Sequence, residues 1–192
     1  VSSSLFSQTV DRTEPPQLPE PPKLNLPKAE KFELSNGLKV TFIEKHEVPL
    51  VQLNILVNVG SVNESVDKAG VTSFMMDMLM EGAAGKSSLE LSDEIDFLGA
   101  DISTGSSYHS SSIALHIPLA KFDEALKLTA DITLKPDFPE SEIKRLKNQY
   151  LGLLVQAFDR PTTIAYYGFT QFLYGKNHPY GRSAIGDEIT IK

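Results

Sequence analysis

Residues 69–82 read Ala-Gly-Val-Thr-Ser-Phe-Met-Met-Asp-Met-Leu-Met-Glu-Gly. Val71, Phe74, Met75, Met78 and Leu79 recur at helical spacing and a glycine follows, so the stretch predicts a helix over 69–81 that Gly82 stops. All four methionines of the protein, Met75, Met76, Met78 and Met80, lie in this one segment. Thioethers fill irregular cores, and they also line surfaces that accept many different side chains. On the first reading they are ordinary packing. On the second, Met76 and Met80, which share a helix face with Ser73 and Asp77, are candidate peptide contacts.

Upstream of this helix the period changes to two. Phe32 and Leu34, then Leu38, Val40 and Phe42, alternate on either side of Ser35-Asn36-Gly37, as in a hairpin. The Val-, Ile- and Leu-rich run 50–59 predicts a mostly buried strand at the centre of a sheet. Downstream, Ser87 or Ser88 can cap a second helix that carries Leu91, Ile95 and Leu98 and ends at Gly99. Serine-rich strands follow at 101–108 and 110–117, with one solvated face. Amphipathic helices are then predicted over 119–133, 139–158 and 161–174, the last opened by Pro161 and closed by Gly175. These elements compose an α+β fold: a mixed, mostly antiparallel sheet with helices packed on one face.

Composition narrows the function classes. With 192 residues, 41% hydrophobic and 22% charged, the chain is one ordinary folded domain. A formal charge of -7 and the lack of a long Lys/Arg run argue against nucleic acid as a partner. With no cysteine, disulfides, thiolate zinc sites and a cysteine nucleophile are excluded. No apolar run is long enough for a spanning helix, so no transmembrane segment is expected. Pro15, Pro16, Pro19, Pro21, Pro22 and Pro27 make residues 1–28 a Pro-rich linker or extension, either tied across a neighbour or a disordered tail. The domain is then 29–192, cut short at its C-terminal end. The start at Val1 rather than Met suggests either processing or an artificially chosen start, and on the first reading a periplasmic or secreted location is expected.

Taken in order, Ser35-Asn36-Gly37-Leu38, Gly60-Ser61 with Glu64, Gly70 before a helix, Gly82 after it, and His178-Pro179-Tyr180-Gly181 resemble the pitrilysin/insulinase family of zinc metallopeptidases, the inverzincins. The resemblance covers residues 30–188. It implies an inverted motif, H-x-x-E-H, on the helix after Gly70. Histidines at i and i+4 would reach one zinc from a single helix face, the glutamate would take a proton from the metal-bound water, and a distant glutamate would complete the ligands. Laid on that motif, this chain has Ser73, Met76 and Asp77 in place of His, Glu and His. A neutral hydroxyl is a poor zinc ligand, a thioether is no base, and a lone carboxylate cannot hold a catalytic metal. The distant ligand falls near Gly152 or Leu153, and residues 143–158 contain no carboxylate under any small shift of register.

Other candidate ligands form no set. Asp77 and Glu81, one turn apart, read as a solvated pair or as half of a carboxylate site without a third member. His109 and His116 are seven apart, on opposite faces of a regular strand, and so make no metal pair. His46 and His178 have no identifiable serine or cysteine partner.

The resemblance further implies four related domains around a two-part chamber, in one long chain or two shorter ones, often with zinc in only one. This chain is therefore expected to have no catalytic or metal-binding residues of its own and to be inactive alone. As a non-catalytic subunit or half it would pair, in a heterodimer, with an active zinc-bearing homologue, and confine an unfolded peptide. The alternative is a scaffold subunit that binds no peptide. A third reading, rearranged zinc ligands, requires stoichiometric metal in the purified domain.

Overall fold

The computed structural model describes residues 26–191, in two units divided between Glu47 and Val48. The prolines of the expected linker, apart from Pro27, lie outside the described residues. In the first unit, β1 (Ala29–Glu33) pairs antiparallel with β2 (Lys39–Ile43), with Phe32 opposite Val40. The turn between them is the expected one: Gly37 has φ +85°, and the Asn36 side chain accepts a hydrogen bond from the Leu38 N–H at 3.1 Å.

The second unit begins with β3 (Leu50–Val57), followed by two short 3-10 turns and α1 (Val71–Met78). A two-residue hairpin, β4 (Gly82–Ala83) and β5 (Lys86–Ser87), leads into α2 (Ser88–Leu98). Then come β6 (Asp101–Ser106), β7 (Ser111–Pro118), α3 (Phe122–Leu134), α4 (Glu140–Phe158), α5 (Pro161–Tyr174) and α6 (Glu188–Ile191). Helix boundaries follow local chemistry. Ser87 Oγ accepts from the Glu90 N–H while the Glu90 carboxylate accepts from the Ser87 N–H, a reciprocal cap, and Gly99 ends α2 at φ +65°.

The sheet of this unit is antiparallel, in the order β3-β7-β6. The long apolar strand β3, expected at the centre, is at an edge, and the serine-rich β7 is in the middle. Alternation reports which face of a strand is covered and is blind to how many neighbours the strand has. On one face Leu53 lies opposite Leu115, Ile55 opposite Ile113 and Ile102 opposite Leu115. That face carries the core: Ile113, Leu115 and Ile117 of β7 pack with Leu91, Ile95 and Leu98 of α2 and Ala125, Leu128 and Ile132 of α3. On the other face His116 is exposed, as the serine-rich pattern implied.

Helix α1 belongs to two cores at once. Met76 and Leu79 join the sheet-side cluster. Met78 joins Leu146, Tyr150 and Leu154 of α4 and Ile191 of α6 in a second cluster, flanked by Phe74 and Ile185. A helix that contributes to two cores carries apolar residues on more than one side, which accounts for its methionine-rich sequence, with Ser73 and Asp77 among its polar positions.

Candidate functional site

The N-terminus of α1 is built from outside the helix. Gly70, its cap residue, has no side chain, and the Glu64 carboxylate accepts from the Gly70 N–H at 2.8 Å and from the Thr72 N–H at 2.7 Å. One acid thus satisfies two unpaired helix donors and complements the positive end of the helix dipole. Arg182 donates to the carbonyls of Glu64 and Ser65 at 3.2 and 3.1 Å, so this loop is held from both sides. Gly60 passes so close to the β6–β7 turn that a Cβ there would lie 2.5 Å from the Ser107 carbonyl oxygen.

Ser73, Met76 and Asp77, the residues expected at the motif positions, are each committed to protein atoms. Ser73 donates to the Ala184 carbonyl at 2.8 Å and lies 2.9 Å from Ser106 Oγ, which donates to it in turn. Met76, at 3% exposure, is inside the sheet-side core. Core filling is therefore its role in this structure, and of the two candidate peptide contacts only Met80, half-buried against the same core, keeps open surface. Asp77 accepts from the Tyr150 hydroxyl of α4 at 2.6 Å, a charge-assisted bond. Leu153, expected near the place of the distant ligand, is 42% exposed, and Tyr150, one turn before it, is the residue that reaches Asp77.

Asp77, which is exposed, and Glu81, which is half-buried, each have a partner on α4. Glu81 meets the Arg145 guanidinium of α4 at 2.6 Å, and Arg145 also bonds Glu142. Two residues of α4 therefore clasp Asp77 of α1 and Glu81 just beyond its end. Sequence reading missed both, because Tyr150 looks like one more apolar-face residue and Arg145 like a solvated one. His109 departs from expectation as well: it is in the turn between β6 and β7 and shares a 2.6 Å hydrogen bond with Tyr180, whose ring packs edge-on against Tyr108 and Tyr174. His178 accepts from the Tyr180 N–H and so caps the turn at Pro179–Gly181.

A zinc ion does not fit this donor set. The hydroxyl of Ser73 is hydrogen-bonded on both sides, Met76 is enclosed, and Asp77 is engaged by a phenol. Among the described residues no group of three or more His, Asp or Glu side chains converges on one point. A thioether stands where the expected base would be, and the one carboxylate of α1, Asp77, accepts a hydrogen bond from the Tyr150 hydroxyl.

The clasp has a pH signature. Burial, then the hydrogen bond and negative charge of Asp77, pushes the Tyr150 phenol well above its ordinary range. The unfolded chain releases that proton from about pH 10. Above this the native state holds more protons than the unfolded one, so stability present below pH 10 is lost as pH rises further. Tyr108, raised by burial and by Tyr166, acts in the same direction. Urea unfolding between pH 9 and pH 12 should show a fall that Tyr150→Phe makes shallower without abolishing; an unaltered slope would contradict the assignment.

Residues 39–162 match the sequence profile described as Insulinase (Peptidase family M16). The chain belongs to this peptidase family. It is 25% identical, over 83% of its length, to an uncharacterized zinc protease of Rickettsia felis, and 24% identical, over 84%, to one of Bacillus subtilis. It spans about two fifths of each, 38% and 39%. Among solved structures, the M16 inactive domain from Pseudomonas fluorescens superposes with a TM-score of 0.81 at 32% identity, over 85% of this chain and 40% of that one. A protease from Helicobacter pylori shares the fold, with a TM-score of 0.76 at 22% identity over 87% of this chain and 40% of its own. The M16 fold is thus present here, in a chain whose motif helix carries none of the residues of H-x-x-E-H.

Proposed function

We propose that this chain is a non-catalytic M16 partner. It pairs with a homologue that carries H-x-x-E-H and zinc, and the two enclose an unfolded peptide that the homologue cleaves. The observation that carries this reading is the state of α1: its three motif positions are a bonded hydroxyl, a buried thioether and a carboxylate claimed by Tyr150, within a fold otherwise kept intact. An M16 fold without residues suited to the metal chemistry supports a role in shaping or positioning. A second observation favours peptide contact over pure scaffolding. Strand β6 ends the sheet of its unit, so its outer main-chain groups have no partner strand there among the described residues, and its last residue, Ser106, bonds Ser73. An extended peptide added along such an edge is held by main-chain bonds that tolerate many sequences. A periplasmic or secreted location is part of the same proposal.

The test is co-purification with an H-x-x-E-H homologue, followed by a peptidase assay with and without this chain. We expect little hydrolysis by either component alone and chelator-sensitive cleavage by the pair. Equal cleavage without this chain favours a scaffold, and chelator-sensitive cleavage by this chain alone refutes the proposal.

A further inference from the structure

Three tyrosines and two histidines from two distant stretches of the chain meet at the turn Pro179–Gly181. Tyr180 is at the centre: its ring lies edge-on to Tyr108, with centroids 5.0 Å apart, and to Tyr174 at 5.3 Å. Its hydroxyl is 2.6 Å from His109 Nε2, and its N–H donates to His178 Nδ1 at 3.2 Å. His178 in turn stacks on Tyr174. All of these residues belong to one unit, and His109 and Tyr180 are 71 positions apart. Neither the α1 site nor the proposed pairing uses this arrangement.

We infer that Tyr180 is a site of one-electron oxidation, and that it couples with Tyr108 in an intrachain dityrosine cross-link. The sequence has neither cysteine nor tryptophan, so phenols are its side chains most readily oxidised one electron at a time, whereas methionine goes to the sulfoxide by oxygen transfer. A phenol that loses an electron becomes a strong acid and must lose its proton too. In the tautomer protonated at Nδ1, His109 accepts from the Tyr180 hydroxyl through Nε2 and is in reach to take that proton as the electron leaves. A second oxidising equivalent removes an electron from Tyr108, whose proton goes to water. A carbon–carbon bond then forms between ring carbons ortho to the two oxygens, and the hydrogens on those carbons pass to the oxygens as the rings regain aromaticity. The product is lighter by two hydrogen atoms, and its two electrons have gone to the oxidant, a photogenerated metal complex or a peroxidase with hydrogen peroxide. Tyr150, by contrast, is paired with Asp77, but its ring packs on Phe74, which has no phenol to couple.

Illuminating the chain with a ruthenium tris-bipyridine sensitiser and persulfate, dilute enough that copies do not meet, tests this. The monomer band should gain dityrosine fluorescence, and tandem mass spectrometry of its digest should join the peptide holding Tyr108 to the one holding Tyr180. Tyr180→Phe and Tyr108→Phe should each abolish the link with circular dichroism unchanged, since each keeps its ring. Tyr174→Phe should leave the link in place. His109→Ala should slow its formation at least about tenfold, and added imidazole should restore the rate, which a merely structural role would not allow. The cross-linked chain should have a higher urea midpoint, because a covalent tie between distant segments restricts the unfolded state. A link joining other tyrosines overturns the proposal, as does a monomer without a link or a rate indifferent to His109→Ala. None of these outcomes touches the pairing with a zinc-bearing homologue, which stands or falls on its own assay.

Discussion

Met76→Ser is expected to destabilise the protein by about 2–5 kcal/mol, lowering the urea midpoint, whereas Met80→Ser costs less than about 1.5 kcal/mol. Met76 is packed with Leu79, Leu91 and the β7 side chains at 3% exposure, so truncating it leaves a cavity and a hydroxyl with no assured partner. Met80 is half-buried at the edge of the same cluster, where neighbours and water can fill the gap. The consequence reaches function. Loss of peptide capture in a Met76 variant reports unfolding, so Met80→Ser is the informative probe of a peptide contact on this helix. If Met76→Ser leaves the midpoint unchanged, the placement of α1 against the sheet is wrong.

Gly70→Ala should be harsher than its size suggests, at least about 3 kcal/mol. The backbone there has φ +91°, a conformation that costs an L-residue about 1–2 kcal/mol. A Cβ would also lie 2.6 Å from the Ile185 carbonyl carbon and the Gly186 nitrogen, atoms that cannot rotate away. Gly186 mirrors the arrangement, since its own Cβ would lie 2.5 Å from the Ala69 oxygen. Pushing these segments apart also strains the Ser73 bond to the Ala184 carbonyl. Gly99→Ala is the control: its φ is +65° but the space around it is open, so only the conformational cost of about 1–2 kcal/mol remains. Similar losses at both positions, read from denaturation midpoints, would show that the close approach at Gly70 does not exist.

Gly60, Gly70 and Gly181 stand where backbone meets backbone within distances no side chain allows. Ser73, Met76 and Asp77 are engaged in the packing and hydrogen bonding of α1.

Much of this was legible in the order of residues. Helix α5 runs over the predicted residues 161–174, Ser87 and Gly99 bound α2 as their chemistry dictates, and the hairpin turn at Gly37 has the positive φ its glycine announced. What the order of residues could not carry were relations between distant segments. The neighbours of β3, the enclosure of Met76 and the hold of Tyr150 on Asp77 across 73 positions depend on how elements settle against one another.

The sequence alone settled that α1 has no histidine and no glutamate, because side-chain identities are properties of single residues and no folding supplies them where they are not encoded. The tertiary structure alone decided what took their place. A hydrogen bond to Ser106 or Ala184, a phenol on Asp77 and a core around Met76 exist only once segments 30 to more than 100 residues apart have closed on one another.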